Sequence, residues 1–492
     1  MVHEAPAETQ RVLIVGAGFA GLAMGITLKE AGIDEFTILE QADEVGGTWR
    51  DNRYPGCGCD VQSHLYSFSF EPNPRWSRMF ARQEEILQYL VHCTDKYGLR
   101  PHIRFRTAVL DARFDEPTGL WEVRTRAGDV IRARVLVTGC GVLSRPSYPD
   151  IAGLSTFAGK TFHSADWDAA FPLEGRTVAV IGTGASAVQI IPSIAPKVAR
   201  LAVYQRTPPW VLPKPDREIG AVEQALFARV PALQKALRRV IYWQREALVL
   251  GLAVEPRLMK IAEAVGRKYV EESVADPALR AKVLPTYAMG CKRIVPSNDY
   301  YGALQRENVE VVTEPIAEIR ANGVLTRDGT ERQADALVLA TGFQAAEHVA
   351  PFELRGRAGA RLDEVWRDGA EAYLGTTVSG FPNLFMMTGP NTLLGHSSMV
   401  FIIEAQARYV LSSIRAMRER RLKLVDVRAD AQARYNERLQ ERLGKTVWAS
   451  GCTSWYKTRS GKNTMLWPGF TFEYRLRTRR FEPRDYELVP AG

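Results

Sequence analysis

The sequence has little that would suit a bilayer, a nucleic acid or a disulfide scaffold. Its most apolar long stretch, around Ala247–Val254, is bounded by Gln244, Arg245, Glu246 and Glu255. That falls well short of the roughly 20 residues that cross a membrane. It reads as a core or interfacial helix, and no transmembrane segment is expected. The opening residues, MVHEAPAETQRVLIVGAG, lack a basic region followed by an apolar run and a cleavage site. No secretory leader is expected, and the expected location is cytoplasmic. Cysteine is scarce, with six in 492 residues, and only Cys57 and Cys59 are close, as CGC. That spacing belongs neither to a zinc ribbon nor to a CxxC redox pair, so free thiols and no metal are expected. The net charge of +8 is scattered along the chain, which argues against a nucleic-acid partner. What is present, 46% hydrophobic and 24% charged residues, is ordinary for a globular chain long enough for several domains.

Two strand–turn–helix patterns carry the first positive information. In RVLIVGAGFAGLAMGITLKEAG, the run Val12–Val15 leads into Gly16, Gly18 and Gly21, spaced GxGxxG. The first glycine permits a tight turn, the second lets backbone approach a pyrophosphate, and the third lets helix pack on strand. The helix then offers free N–H groups and its positive dipole end to phosphate. The next strand, FTILE, ends at Glu40, whose carboxylate suits a ribose diol. In TVAVIGTGASAVQII the pattern recurs as Gly182, Gly184 and Ala187, with Thr183 between the glycines, and the following strand ends at Arg206. Glu40 and Arg206 each lie 24 positions after the first glycine of their motif, so one topological position carries opposite charges. An acid there favours a free 2′-hydroxyl and an arginine a 2′-phosphate. The first unit is therefore expected to hold FAD and the second NADPH.

VLVTG at 135–139 and LVLATG at 337–342 are both apolar strands ending in Thr-Gly. Each can close one nucleotide-binding unit. The expected fold is α/β, with two Rossmann-like dinucleotide-binding domains. The FAD domain spans about 1–145 and 343–492, and the NADPH domain about 153–336. Segment 217–290 is rich in Ala, Leu, Arg and Glu, and reads as a helical insertion broken at Val230-Pro231 and Asp276-Pro277.

One stretch, FAGKTFHSADWD, reads as an interdomain linker with a lone His and a lone Trp. Its residues Phe157, Gly159, His163, Trp167 and Asp168 give FxGxxxHxxxW followed by Asp. A distant stretch, GGTWRDNRYPGCGCD, supplies Gly47, Trp49, Tyr54, Pro55, Gly56 and Asp60. AMGCKRIVPSNDYY contains Lys292 and Arg293, and TSWYKTRSGK contains Trp455. With these four patterns the chain resembles the class B flavoprotein monooxygenases, and within them the type I Baeyer–Villiger monooxygenases. Asp168 after the Trp leans toward that branch over related N- and S-oxygenases. Beyond Tyr456 the sequence KTRSGK departs from the family's more apolar loop, near 453–463.

The resemblance implies that NADPH reduces FAD and that the flavin then forms a C4a-peroxide with O₂, which attacks a ketone to give an ester or lactone. Arg293 matches the catalytic arginine, and Asp60 the carboxylate that holds it. A fixed cation favours the deprotonated peroxide because arginine is charged at every working pH. Thr48, Trp49, Tyr66, Val109 and Met399 match positions on FAD. Ser186, Gln189, Thr207, Lys292 and Trp455 match positions on NADPH. His163 is tempting as a base, but its place between domains suits a contact that couples their rotation to cofactor state. His396, in GPNTLLGHSSM, suits structural hydrogen bonding better than catalysis. Three alternatives stay open at this point: an N- or S-oxygenase, a dithiol reductase using Cys57 and Cys59, and a flavin redox sensor. The ketone and the oligomeric state are not readable from the residues.

Overall fold

The computed structural model describes residues 8–345 and 352–491. The first sheet starts from β1 (Glu8–Val15), whose Val12–Val15 run is buried, as a central parallel strand requires. Gly16 turns the chain at φ +101° into α1 (Phe19–Glu30), and β2 (Phe36–Leu39) returns parallel to β1. A Cβ on Gly21 would lie 1.8 Å from the Gly16 carbonyl oxygen, so helix and turn touch only because this residue is glycine. β3 (Ile103–Arg104), β4 (Val109–Asp115), β5 (Leu120–Thr125) and β6 (Val130–Thr138) complete the first pass. β4 to β6 form an antiparallel meander, and β6 runs parallel to β1.

The second sheet holds β7 (Lys160–His163), β8 (Thr177–Ile181) and, after α2 (Ala185–Ile194), β9 (Arg200–Tyr204). The helical segment follows as α3 (Ala221–Arg229), α4 (Pro231–Val249), α5 (Met259–Ser273) and α6 (Pro277–Val283). Both expected breaks fall at helix starts. Pro231 and Pro277 open α4 and α6, and the Asp276 carboxylate accepts the N–H groups of Ala278 and Leu279. β10 (Val309–Val312) and β11 (Ala336–Leu339) close a five-stranded parallel sheet in the order β10-β9-β8-β11-β7.

The chain then returns to the first sheet, where β12 (Glu353–Arg355) pairs with β4 and β13 (Leu384–Met386) pairs with β6. α7 (Met399–Glu419) follows, with the Ser398 hydroxyl accepting the Val400 N–H at its start. The two passages between sheets pair with each other. Ser147 N–H donates to the Gly342 carbonyl and Gln344 N–H to the Arg145 carbonyl, both at 2.9 Å. Among the described residues no helix is long and apolar enough to cross a membrane.

Two expectations are corrected here. The stretch around His163 is not a linker: Lys160–His163 is edge strand β7, hydrogen-bonded along β11. Its polar outer residues hid it, because an edge strand needs only one protected side. Nor are all six cysteines free, since Cys291 and Cys452 form a disulfide across 161 residues. No spacing rule reaches that far.

Candidate active site between two dinucleotide folds

The first cradle is built around the Gly16–Gly21 turn. Glu40 follows β2 and is buried, and its carboxylate accepts the Ala17 N–H at 2.9 Å and pairs with Arg50 at 2.9 Å. The strand-tip acid is thus held against the glycine turn, where a ribose would lie. Gly47, at φ +51°, packs on Gly18 and opens the short turn Thr48–Asp51. The Trp49 indole N–H donates to the Tyr66 hydroxyl at 3.2 Å, and the Tyr66 ring meets Phe19, the first residue of α1, edge-on at 5.2 Å. Thr48, Trp49 and Tyr66 therefore cluster beside the first glycine turn. Thr107, two residues before Val109, donates its N–H to the Glu40 carbonyl, which brings the start of β4 to the same end of the sheet. Met399 lies at the N-terminus of α7. The His396 ring is buried 3.4 Å from Glu246, which also accepts the Thr471 N–H and hydroxyl.

The second cradle repeats the design with a different charge. Gly182 turns at φ +115°, and its Cβ would lie 2.4 Å from the Ala340 oxygen. Gly184 caps α2, and a Cβ there would meet nothing within 4 Å, so the helix N-terminus faces open space. The Thr183 hydroxyl donates to the Thr207 carbonyl at 2.8 Å, which ties the glycine turn to the loop after β9. Ala187 is fully buried under that turn. Burial first, then the nearby Arg206 charge, holds the Lys292 amine below its ordinary value. Among the described residues neither Arg206 nor Lys292 forms an ion pair. Two neighbouring cations without a carboxylate, beside a helix N-terminus, fit a phosphorylated dinucleotide.

Asp60 sits where the two halves meet. Its carboxylate takes the Arg293 guanidinium at 3.1 Å and the Gln189 amide at 3.2 Å, with the Lys214 amine 3.8 Å away. The Asp60 side chain is 7% exposed and that of Arg293 44%, so the carboxylate is anchored and the guanidinium is partly open. Burial is the largest single influence and pulls the arginine down, but the Asp60 charge and hydrogen bond together with nearby Tyr456 and Cys59 outweigh it, holding Arg293 above its ordinary value. Tyr456 is buried near Arg293, while Trp455 beside it is 42% exposed.

Two participants escaped the sequence reading, and a third, Gln189, has a role beyond the one expected of it. Lys214 and Arg245 both approach the Asp60 segment, Lys214 through the Cys59 carbonyl at 3.2 Å and Arg245 through Gln62 at 2.7 Å. No motif marks either residue. The Gln189 side chain is the third: it accepts from the Tyr54 hydroxyl and donates to Gly58 O and Asp60, so its amide bridges the two halves. Phe157 packs under the second sheet, and a Cβ on Gly159 would lie 2.4 Å from the Asp335 oxygen. Trp167 meets Phe162 edge-on at 4.7 Å, and Asp168 pairs with Lys160 at 2.6 Å. These contacts brace β7. Cys57 and Cys59 are buried and unlinked, and burial pushes both thiols up to about 12. That is the opposite of a reactive dithiol.

Two dinucleotide cradles of opposite tip charge, meeting at one arginine–carboxylate pair, define a nicotinamide-fed flavoprotein oxidoreductase. Residues 13–240 match the family model described as Pyridine nucleotide-disulphide oxidoreductase. A Baeyer-Villiger monooxygenase of Pseudomonas aeruginosa is 48% identical over 99% of this chain and 92% of its own length. One from Streptomyces coelicolor is 46% identical over 99% and 94%. The crystal structure of cyclohexanone monooxygenase from Rhodococcus sp. Phi1 bound to NADP+ superposes with a TM-score of 0.90 at 30% identity, covering 99% of this chain and 100% of that one. The chain belongs to the Baeyer–Villiger monooxygenase family.

Proposed function

We propose that Arg293, held by Asp60, is the catalytic residue of this Baeyer–Villiger monooxygenase. The enzyme uses FAD, NADPH and O₂ to insert one oxygen atom beside a ketone carbonyl, giving an ester or lactone. Bound FAD, reduced by NADPH, supplies the oxygen-activating chemistry. The protein's own residues supply position and charge. Gly16, Gly18, Gly21 and Glu40 cradle the first dinucleotide, with Trp49 and Tyr66 toward its ring end. Lys292 and Arg206 hold the 2′-phosphate of the second, and Trp455 reaches its nicotinamide end. Arg293 presents a permanent cation where negative charge develops on oxygen. Asp60 keeps that cation from swinging into water, and Gln189 keeps Asp60 in place.

The FAD domain is assigned to about 1–145 and 343–492, and the NADPH domain to about 153–336, with segment 217–290 as its insertion. The cytoplasm is the compartment assigned; the four free thiols are compatible with it, and the Cys291–Cys452 bond is one that such a compartment would keep reversible.

The observation that carries this reading is the 3.1 Å contact between the partly exposed Arg293 and the buried carboxylate of Asp60. Its test is Arg293→Ala. The variant should retain FAD by absorbance and still oxidise NADPH, while ester formation falls roughly 10²- to 10³-fold, as when one oxyanion donor is removed. Undiminished ester formation would move the catalytic role elsewhere.

A further inference from the structure

The Cys291–Cys452 disulfide lies between two pieces of the site. Cys291 directly precedes Lys292 and Arg293, and Cys452 is three residues before Trp455. Cys291 is fully buried in a turn closed by its N–H on the Ala288 carbonyl, and Gly290 holds that turn at φ +93°. A Cβ on Gly290 would lie 2.8 Å from Leu252, so the turn is pinned against the helical segment. Cys452 is only partly buried and follows Gly451, also at φ +93°. Its side is the one open to reagents in solution.

The contacts of the Trp455 loop make this bond consequential. Among the described residues no hydrogen bond or ion pair joins the side chains or backbone of 451–455 to the body of the protein. The Ser454 hydroxyl accepts only the Tyr456 N–H, and the Ser454 carbonyl only that of Lys457. Firm attachment resumes at Tyr456, which is buried, and at Lys462, which pairs with Glu371 at 2.6 Å. Among the described residues the disulfide is thus the one bond from 451–455 themselves to the segment that carries Lys292 and Arg293.

We propose that Cys291 and Cys452 are a reversible oxidation site that latches the Trp455 loop onto the Lys292–Arg293 segment, setting how tightly the nicotinamide cofactor is held. In the oxidising direction hydrogen peroxide is the oxidant. The two thiols lose two protons and two electrons, a sulfur–sulfur bond forms, the peroxide O–O bond breaks and both oxygens leave as water. A dithiol reverses the step by exchange, ending as its own disulfide. In a reducing compartment such a bond switches with the local redox state rather than serving as a permanent staple. Linking the loop converts its docking on cofactor from a search by a free chain into a local closure, which raises its effective concentration. The effect on cofactor rests on the roles proposed for Trp455 and Lys292, whereas the chemistry of the bond does not.

The test uses full-length holoenzyme treated with hydrogen peroxide or with dithiothreitol, then denatured and alkylated without further reductant. Mass analysis should find four alkylated cysteines and a 291–452 linked peptide after peroxide, and six alkylated cysteines after dithiol. Reduction should raise the KM for NADPH roughly three- to tenfold and lower the ester formed per NADPH oxidised, with FAD content unchanged. Cys452→Ser should show the reduced values throughout and ignore dithiol, and Cys291→Ala should behave alike if the first variant folds poorly. Six alkylated cysteines after peroxide would overturn the oxidation site. A linked enzyme whose KM and ester yield ignore dithiol would overturn the latch, as would a Cys452→Ser enzyme that still responds. Failure of the Arg293 assignment shows separately, in Arg293→Ala, and leaves the labelling result standing.

Discussion

At the scale of single residues, two close cations that share no carboxylate are the functional sign at the second cradle. Many of its exposed cations pair with a nearby carboxylate, as Arg320 does with Glu318 and Glu331. Arg206 and Lys292 do not, although they are close enough for one to depress the other. Repulsion of that kind is kept where an anion arrives to relieve it. Replacing Lys292 by Ala should raise the KM for NADPH roughly 10- to 100-fold and leave that for NADH unchanged, the size of one lost charge-assisted contact. The pH profile follows from the direction of the shift. Because Lys292 lies below its ordinary value, it loses its proton as pH rises earlier than a free lysine. The KM for NADPH should then climb on the alkaline side, and Lys292→Arg, charged throughout, should remove the climb. A flat profile in the unmodified enzyme would show that Lys292 does not meet the phosphate. Cys57 and Cys59 make the opposite case. Thiols pushed up to about 12 by burial stay protonated at neutral pH. Cys57→Ala with Cys59→Ala should keep full ester formation, and its complete loss would restore a dithiol mechanism.

At the scale of elements, β7 shows how a short strand can carry a functional contact. The His163 ring lies at its end, 5.5 Å from the Tyr148 ring and 5.9 Å from that of Phe343. Tyr148 and Phe343 lie at the two paired passages between the sheets, so one imidazole touches both crossings. Burial pulls His163 below its ordinary value, so it is neutral near neutral pH and suited to packing rather than proton transfer. His163→Ala should retain FAD and lose most of the ester formed per NADPH, because the crossings lose their shared contact. An unchanged ester yield would reduce β7 to a structural edge. The glycine turns were legible in the sequence because each glycine answers a backbone demand visible locally, as the 1.8 Å approach at Gly21 shows. The start of α6 was legible for the same reason, since Asp276 and Pro277 act within one turn. β7 was not legible. Its four residues, KTFH, carry no clear alternation, and its strand character comes from β11, more than 170 residues away.

At the scale of the whole molecule, the halves meet through contacts that no local pattern announces. Gln189, on α2, is 131 residues from Gly58 in sequence, yet its side-chain oxygen accepts from the Tyr54 hydroxyl at 3.0 Å and its amide donates to Gly58 and Asp60. Gly56 marks how close this approach is, since a Cβ there would lie 2.5 Å from the Gln189 carbonyl oxygen. The motif placed Gln189 near a cofactor, but only the folded chain shows its amide spanning the joint. Removing it leaves the buried Tyr54 hydroxyl without its acceptor and one Asp60 oxygen without its donor. An unsatisfied buried group costs about 1–3 kcal/mol. Gln189→Ala should therefore lower the melting temperature by a few degrees, in line with that cost. It should also lower ester formed per NADPH more than it lowers the rate of NADPH oxidation, because Asp60 then holds Arg293 less firmly. Gln189→Glu should be worse still, since a second carboxylate beside Asp60 competes for the same guanidinium. A Gln189→Ala enzyme with unaltered melting temperature and ester yield would show that the joint is held elsewhere, leaving Lys214 and Arg245 as the residues to replace next.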